Sequence, residues 1–133
     1  MRFSYDITIP ADTPESDPVK SILRLDRGMI KSIGVRFRIG CNNQVFVAIY
    51  DALYPIVPAA GSTGLYGNDR IFEIPLEFDL LKYPYEVIFF GWSDGTRYPH
   101  TISVWFDLIP QPPADTPIDL NAFIESLNKE VNK

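Results

Sequence analysis

Few residues in this chain have types and spacings suited to chemistry. The single histidine, His100, lies in Tyr98-Pro99-His100-Thr101 and is expected to have no G-x-S-x-G nucleophile partner, so a lone histidine at a strand start reads as structural. Two carboxylate pairs, Glu73/Glu77 and Asp94/Asp107, have the residue type that glycoside hydrolysis uses. Glu73 and Glu77, however, alternate along what reads as the outer face of a strand. Gly61–Asn68 is rich in glycine but precedes a strand, and a phosphate cradle needs a helix N-terminus behind it. Cys41, beside Asn42-Asn43 in an expected turn, has no base partner nearby in sequence and reads as an incidental small residue in a reducing compartment. One cysteine and one histidine make neither a disulfide framework nor a zinc site within one chain. The expectation is a protein with no catalytic residues, no metal and no cofactor.

The elements that would hold these residues are those of one globular domain. At 133 residues, area scaling gives about 7,100 Å² of folded surface against about 21,900 Å² unfolded, which leaves room for a real core. The chain is 46% apolar and 22% charged, which excludes a disordered, collagenous or coiled-coil protein. No apolar run approaches the ~18 residues of a spanning helix, so no membrane is expected. The N-terminus runs straight into alternating residues, and no signal peptide is expected. Virion or cytoplasm is the expected location.

Alternation predicts strands along most of the chain. Phe3, Tyr5, Ile7 and Ile9 alternate with polar residues, then Val19–Leu25 follows. Asp26-Arg27-Gly28 reads as a hairpin loop with Gly28 left-handed. In Met29–Ile39 the residues Ile33, Val35, Phe37 and Ile39 face inward, and Val45, Val47 and Ile49 mark the next strand. Asp51–Arg70 reads as a long loop with a short strand near Leu53–Val57. In Ile71–Phe78, Pro75 requires an edge strand or a bulge. Tyr85–Trp92 and Thr101–Ile109 complete the set. Leu120, Phe123, Ile124, Leu127 and Val131 then repeat at helical spacing, with Thr116 as cap and Pro117 at the first position. The pentapeptide Pro-Ala-Asp-Thr-Pro occurs at Pro10–Pro14 and again at Pro113–Pro117, and both copies read as linkers. The expected fold is therefore all-β: an antiparallel β-sandwich, jelly-roll or immunoglobulin-like, with an N-terminal strand arm and a C-terminal amphipathic helix. The expected divisions are 1–18 for the strand arm and linker, 19–110 for the core, and 111–133 for the second linker and helix.

Surface use is the more informative part of the sequence. Tyr85–Trp92 is apolar on both faces, with Phe89 expected outward and Ile88 and Phe90 inward. Trp105 stands among polar residues on the outer side of its strand. An isolated sandwich should be polar on its wet faces, so something should cover these residues: the chain's own helix, another copy, or a ligand. Tyr54, Tyr66, Tyr83 and Tyr98 fall in loops, where rigid aromatics suit protein interfaces or sugar stacking. Phe3, Tyr5, Ile7, Tyr54, Tyr66, Phe89, Trp92, Tyr98, Trp105, Phe123 and Leu127 are the candidate interface residues. Net charge is −5, yet Lys20, Arg24, Arg27, Lys31, Arg36 and Arg38 are opposed within their segment only by Asp26, giving +5 there and −10 elsewhere. This basic segment suits an acidic partner, another copy, or cross-strand pairing with Glu73, Glu77 and Glu86. An acidic protein is a poor general nucleic-acid binder.

The arm Phe3–Ile9, the sandwich core, the loop Asp51–Arg70, the segment Thr116–Lys133 and the stretch Tyr98-Pro99-His100-Thr101-Ile102-Ser103-Val104 together resemble the small β-sandwich proteins of tailed-phage and related virions, those that decorate heads or connect tail parts. The resemblance implies a structural protein that self-associates or binds a capsid or tail partner. The alternative expectation is a carbohydrate-binding sandwich that uses Trp92, Trp105 and loop tyrosines.

Overall fold

The computed structural model describes residues 1–58 and 64–111. The expected helix, with Phe123 and Leu127, and the second Pro-Ala-Asp-Thr-Pro lie outside the described residues. The strands are β1 (Arg2–Ile9), β2 (Val19–Arg24), β3 (Gly28–Phe37), β4 (Phe46–Asp51), β5 (Tyr54–Val57), β6 (Leu65–Tyr66), β7 (Arg70–Leu80), β8 (Glu86–Trp92) and β9 (His100–Pro110). They form two antiparallel sheets. One has the order β1-β9-β3-β7, and the other the order β2-β8-β4-β5 with β6 also on β4.

The pairing is nested. β1 takes β9, β2 takes β8, β3 takes β7, and β4 takes β5 and β6. This long folded ribbon is then rolled, so that β9 also meets β3 and β8 also meets β4. That path is the jelly-roll path, and it separates the two connectivities left open by the sequence. The inner faces of both sheets feed one core, which includes Ile9, Ile33, Val35 and Phe106 from one side and Val47, Ile49, Val87 and Phe89 from the other. The sheets approach closely at Gly91, where a Cβ would stand 2.5 Å from Ile9 Cδ1 across the core.

Several expectations change in the fold. The N-terminal strand does join a sheet edge, and that edge is β9 of its own chain, in unbroken register from Arg2 opposite Asp107 to Ile9 opposite His100. Phe3, Tyr5 and Ile7 accordingly face the core. Gly28 is not left-handed: it is strand residue, pressed so close to β9 that a Cβ would meet the Ile109 carbonyl oxygen. β3 carries a bulge between Ile30 and Ser32, which slips the alternation by one, so Ile30 and Ile33 both point inward. Ile39, past the end of β3, is 77% exposed rather than inward. β7, with Pro75, is an edge strand and shares the irregularity at the bulge, which satisfies both options proline allowed. The segment Asp51–Arg70 contains β5 and β6 as two short partners of β4.

Pro10–Pro14 is pinned rather than free. Thr13 Oγ1 and Ser93 Oγ both donate to the Pro10 carbonyl, Thr96 Oγ1 accepts from the Asp12 amide, and Asp12 Oδ1 accepts from the Gly95 amide. The reason is that the β1–β2 and β8–β9 connections leave the same end of the roll, where their backbone groups need partners.

Candidate interaction face

The outer face of the β2-β8-β4 sheet is apolar. On β8, Val87 and Phe89 are buried in the core and Ile88, Phe90 and Trp92 turn outward, the reverse of the expected parity. Register places the outward residues in rows. Ile22, Ile88 and Tyr50 form one row, Lys20, Phe90 and Ala48 the next, and Trp92, Phe46 and Tyr66 the last. The rings touch along the strip: Trp92 stacks on Phe46 with centroids 5.8 Å apart, Phe46 meets Tyr66 at 5.2 Å, and Tyr50 meets Phe90 edge-on at 5.6 Å. Gly64 closes over the indole of Trp92, where a Cβ would stand 2.9 Å from Cζ2. A groove of about 320 Å³ runs between Pro18, Tyr50, Leu53, Phe90 and Trp92, with Glu15 at its rim. Ile22 is 52% exposed on the same face. Of the aromatic residues in this strip, the sequence reading singled out Trp92 and Tyr66. Phe46, Tyr50 and Phe90 were missed as surface residues because each lies in a strand that is apolar on both sides.

The other candidates are scattered. Tyr54 stacks on Phe78 of the opposite sheet at 5.8 Å. Tyr98 is exposed beside a groove of about 300 Å³ lined by Asn42, Gln44, Arg97 and His100. Trp105 lies half-buried on the outer face of the β1-β9-β3 sheet, where Gly34 makes room beneath the indole and Arg2 stands 5.8 Å from the ring centroid. The basic segment is divided between sheets. Lys20 and Arg24 flank the apolar face on β2. Lys31, Arg36 and Arg38 belong to β3 and its end, and Arg27 Nη1 donates to the Leu81 carbonyl at 2.5 Å. Of the three glutamates expected to pair with it, Glu86 meets Arg24 at 3.7 Å.

Polar groups are used for fixing strands. Arg2 grips Asp107 through two nitrogens, at 2.8 and 3.1 Å, and Ser32 donates to the same carboxylate. The hydrogen bond from Arg2 holds the Asp107 carboxyl below its usual range. Burial pushes the Cys41 thiol up, because a thiolate there would lose its hydration. Contrary to the expectation, a G-x-S-x-G spacing is present, Gly91-Trp92-Ser93-Asp94-Gly95, but Ser93 is buried, donates to the Pro10 carbonyl, and lies between two strands where a nucleophile elbow needs strand then helix. Asp94 accepts from the Glu15 amide at the loop end, a strand's length from Asp107, so the two do not form a pair. Among the described residues, no three histidine, cysteine or acidic side chains gather as metal ligands, and no helix is long and apolar enough to cross a membrane.

No protein-family model matches the chain, and no curated protein matches it. Among solved structures it is similar to the Yersinia pseudotuberculosis-derived mitogen, at 11% identity and a TM-score of 0.35, over 86% of this chain and 91% of that one. It is also similar to a chain of the Bacillus endospore appendages, described as disulfide-linked pili, at 10% identity and a TM-score of 0.32, over 82% of this chain and 88% of that one.

Proposed function

We propose that this protein is a non-enzymatic structural component of a larger assembly, of the kind that decorates or connects parts of a virion, and that it self-associates. The aromatic outer face of the β2-β8-β4 sheet carries this reading. A lone domain gains nothing by presenting Ile22, Tyr50, Phe90 and Tyr66 to water, whereas a contact face is enriched in such side chains. Sedimentation velocity from low to high concentration tests it. The expected result is a mass that rises with concentration, and a monomer throughout would sink the reading.

A carbohydrate-binding role rests on a different place. Trp92 is 8% exposed and offers no free ring to a sugar, while half-buried Trp105 lies flat over Gly34 on the other sheet. Tyr98, with Arg97, Asn42 and Gln44 around its groove, does combine an exposed ring with polar partners. Glycan binding that disappears in Tyr98→Ala with unchanged melting would support that role.

A further inference from the structure

The apolar face has an acidic-edged counterpart in the same sequence. We propose that the face formed by Ile22, Ile88, Tyr50, Phe90 and Trp92 is the dock for the C-terminal segment, residues 119–131, of a neighbouring copy. This rests on the self-association proposed above and names what makes the contact.

Three observations support it. First, the segment bears one apolar stripe of Leu120, Phe123, Ile124, Leu127 and Val131 at helical spacing, and a helix of this length is marginal in water without a surface. Second, the charges match. At 100° per residue, Asp119 and Glu130 border the stripe on one side, about 16 Å apart along a helix. Lys20 and Arg24 border the sheet face on its β2 side, about 13 Å apart along the strand, with Arg24 also 3.7 Å from Glu86 and Lys20 the cation that a neighbour's carboxylate would meet. Third, the point of departure favours a neighbour. The Gln111 amide donates to the Arg27 carbonyl, at the end of the roll where β9 finishes. Pro110 precedes Gln111, and Pro112 and Pro113 follow it. Prolines hold the chain extended. With Thr116 as cap and Pro117 at the first helical position, the linker is residues 112–116, which at about 3.1 Å each reach only roughly 16 Å. Docking on its own sheet would require the linker to double back.

Disulfide trapping in the full chain tests this, with buried Cys41 left in place. Ile22→Cys chains are mixed with Leu127→Cys chains under mild oxidation. A mixed disulfide between the two is expected. A bridge formed only within a single Ile22→Cys/Leu127→Cys chain would overturn the neighbour, and no bridge in either arrangement would overturn the dock. In sedimentation, Leu127→Asp should weaken association about tenfold or more, the loss of one buried leucine. Lys20→Glu should weaken it too, and Glu130→Lys should restore it in that background. If the wild-type chain associates and Leu127→Asp leaves association unchanged, the self-association reading stands and this dock falls. If the wild-type chain is monomeric, both fall.

Discussion

The indole of Trp105 lies across Gly34, and a Cβ on residue 34 would stand 1.9 Å from Trp105 Cε2. The pair faces outward on neighbouring strands, β9 and β3, directly opposite in register. One strand supplies a large flat ring and the other supplies no side chain. The ring is therefore held along the sheet surface, with its Nε1 buried and unpartnered among the described residues.

Gly34→Ala should accordingly destabilise the fold by about 1–3 kcal/mol, the range for forcing extra atoms into a filled space. The same change in a Trp105→Ala background should cost far less, because the clashing ring is gone. Urea unfolding of the four proteins reads the coupling. Equal costs in both backgrounds would show that the ring does not occupy the space.

The inverted parity of β8 has its own test. Phe89 is fully buried between the sheets, and Phe89→Ala should cost about 3–5 kcal/mol. Phe90 points to the outer face, and Phe90→Ala should cost less than half as much while weakening self-association. Denaturant melts of dilute protein check the first effect, and sedimentation checks the second. The reverse ranking of costs would place Phe90 in the core.

Asp107 makes stability depend on acidity. Its folded carboxyl is held low chiefly by the hydrogen bond from Arg2, while an unfolded aspartate titrates near about 3.9. A depressed folded value adds stability above the unfolded value, and this is lost as pH falls through the folded one. The penalty of Asp107→Asn should then be greatest near neutrality and shrink below about pH 4. Thermal melts of both proteins across that window check it, and a penalty that does not change with pH would exclude the linkage.

Removing residues 1–10 should abolish cooperative folding rather than merely lower oligomer mass. The deletion takes away Ile7 and Ile9 from the core and leaves β9 unpaired on one side from His100 to Asp107. Circular dichroism melts measure this, and a retained sharp transition would show that β1 is dispensable.

What the sequence makes legible is alternation with a polar side. Phe3, Tyr5, Ile7 and Ile9 against Ser4, Asp6 and Thr8 leave one choice of face, and the structure follows it. Ile102, Val104, Phe106 and Leu108 read equally well. Tyr85–Trp92 does not, because both sets are apolar and the inner set contains Gly91, which looks like a gap and is really the room made for Ile9. The bulge in β3 is silent as well, since Ile30, Ile33 and Val35 fit either phase until the partner strand fixes one. The face itself was visible as an apolar surplus. Which side of β8 bore it depended on a contact about eighty residues away in the chain, between Gly91 and Ile9.

The nested pairing also orders events during synthesis. β1 leaves the ribosome long before β9, its partner, and β2 before β8. Folds closed by such distant pairings form slowly, and residues emerge at only about 5–20 per second. Throughout that interval Phe3, Tyr5, Ile7 and Ile9 form an apolar strand with no sheet to enter. On a crowded polysome, the β9 that reaches it first can belong to another nascent chain. Expression at low temperature, low message density or with a holding chaperone should therefore change the yield of correctly closed molecules more than any single surface substitution does.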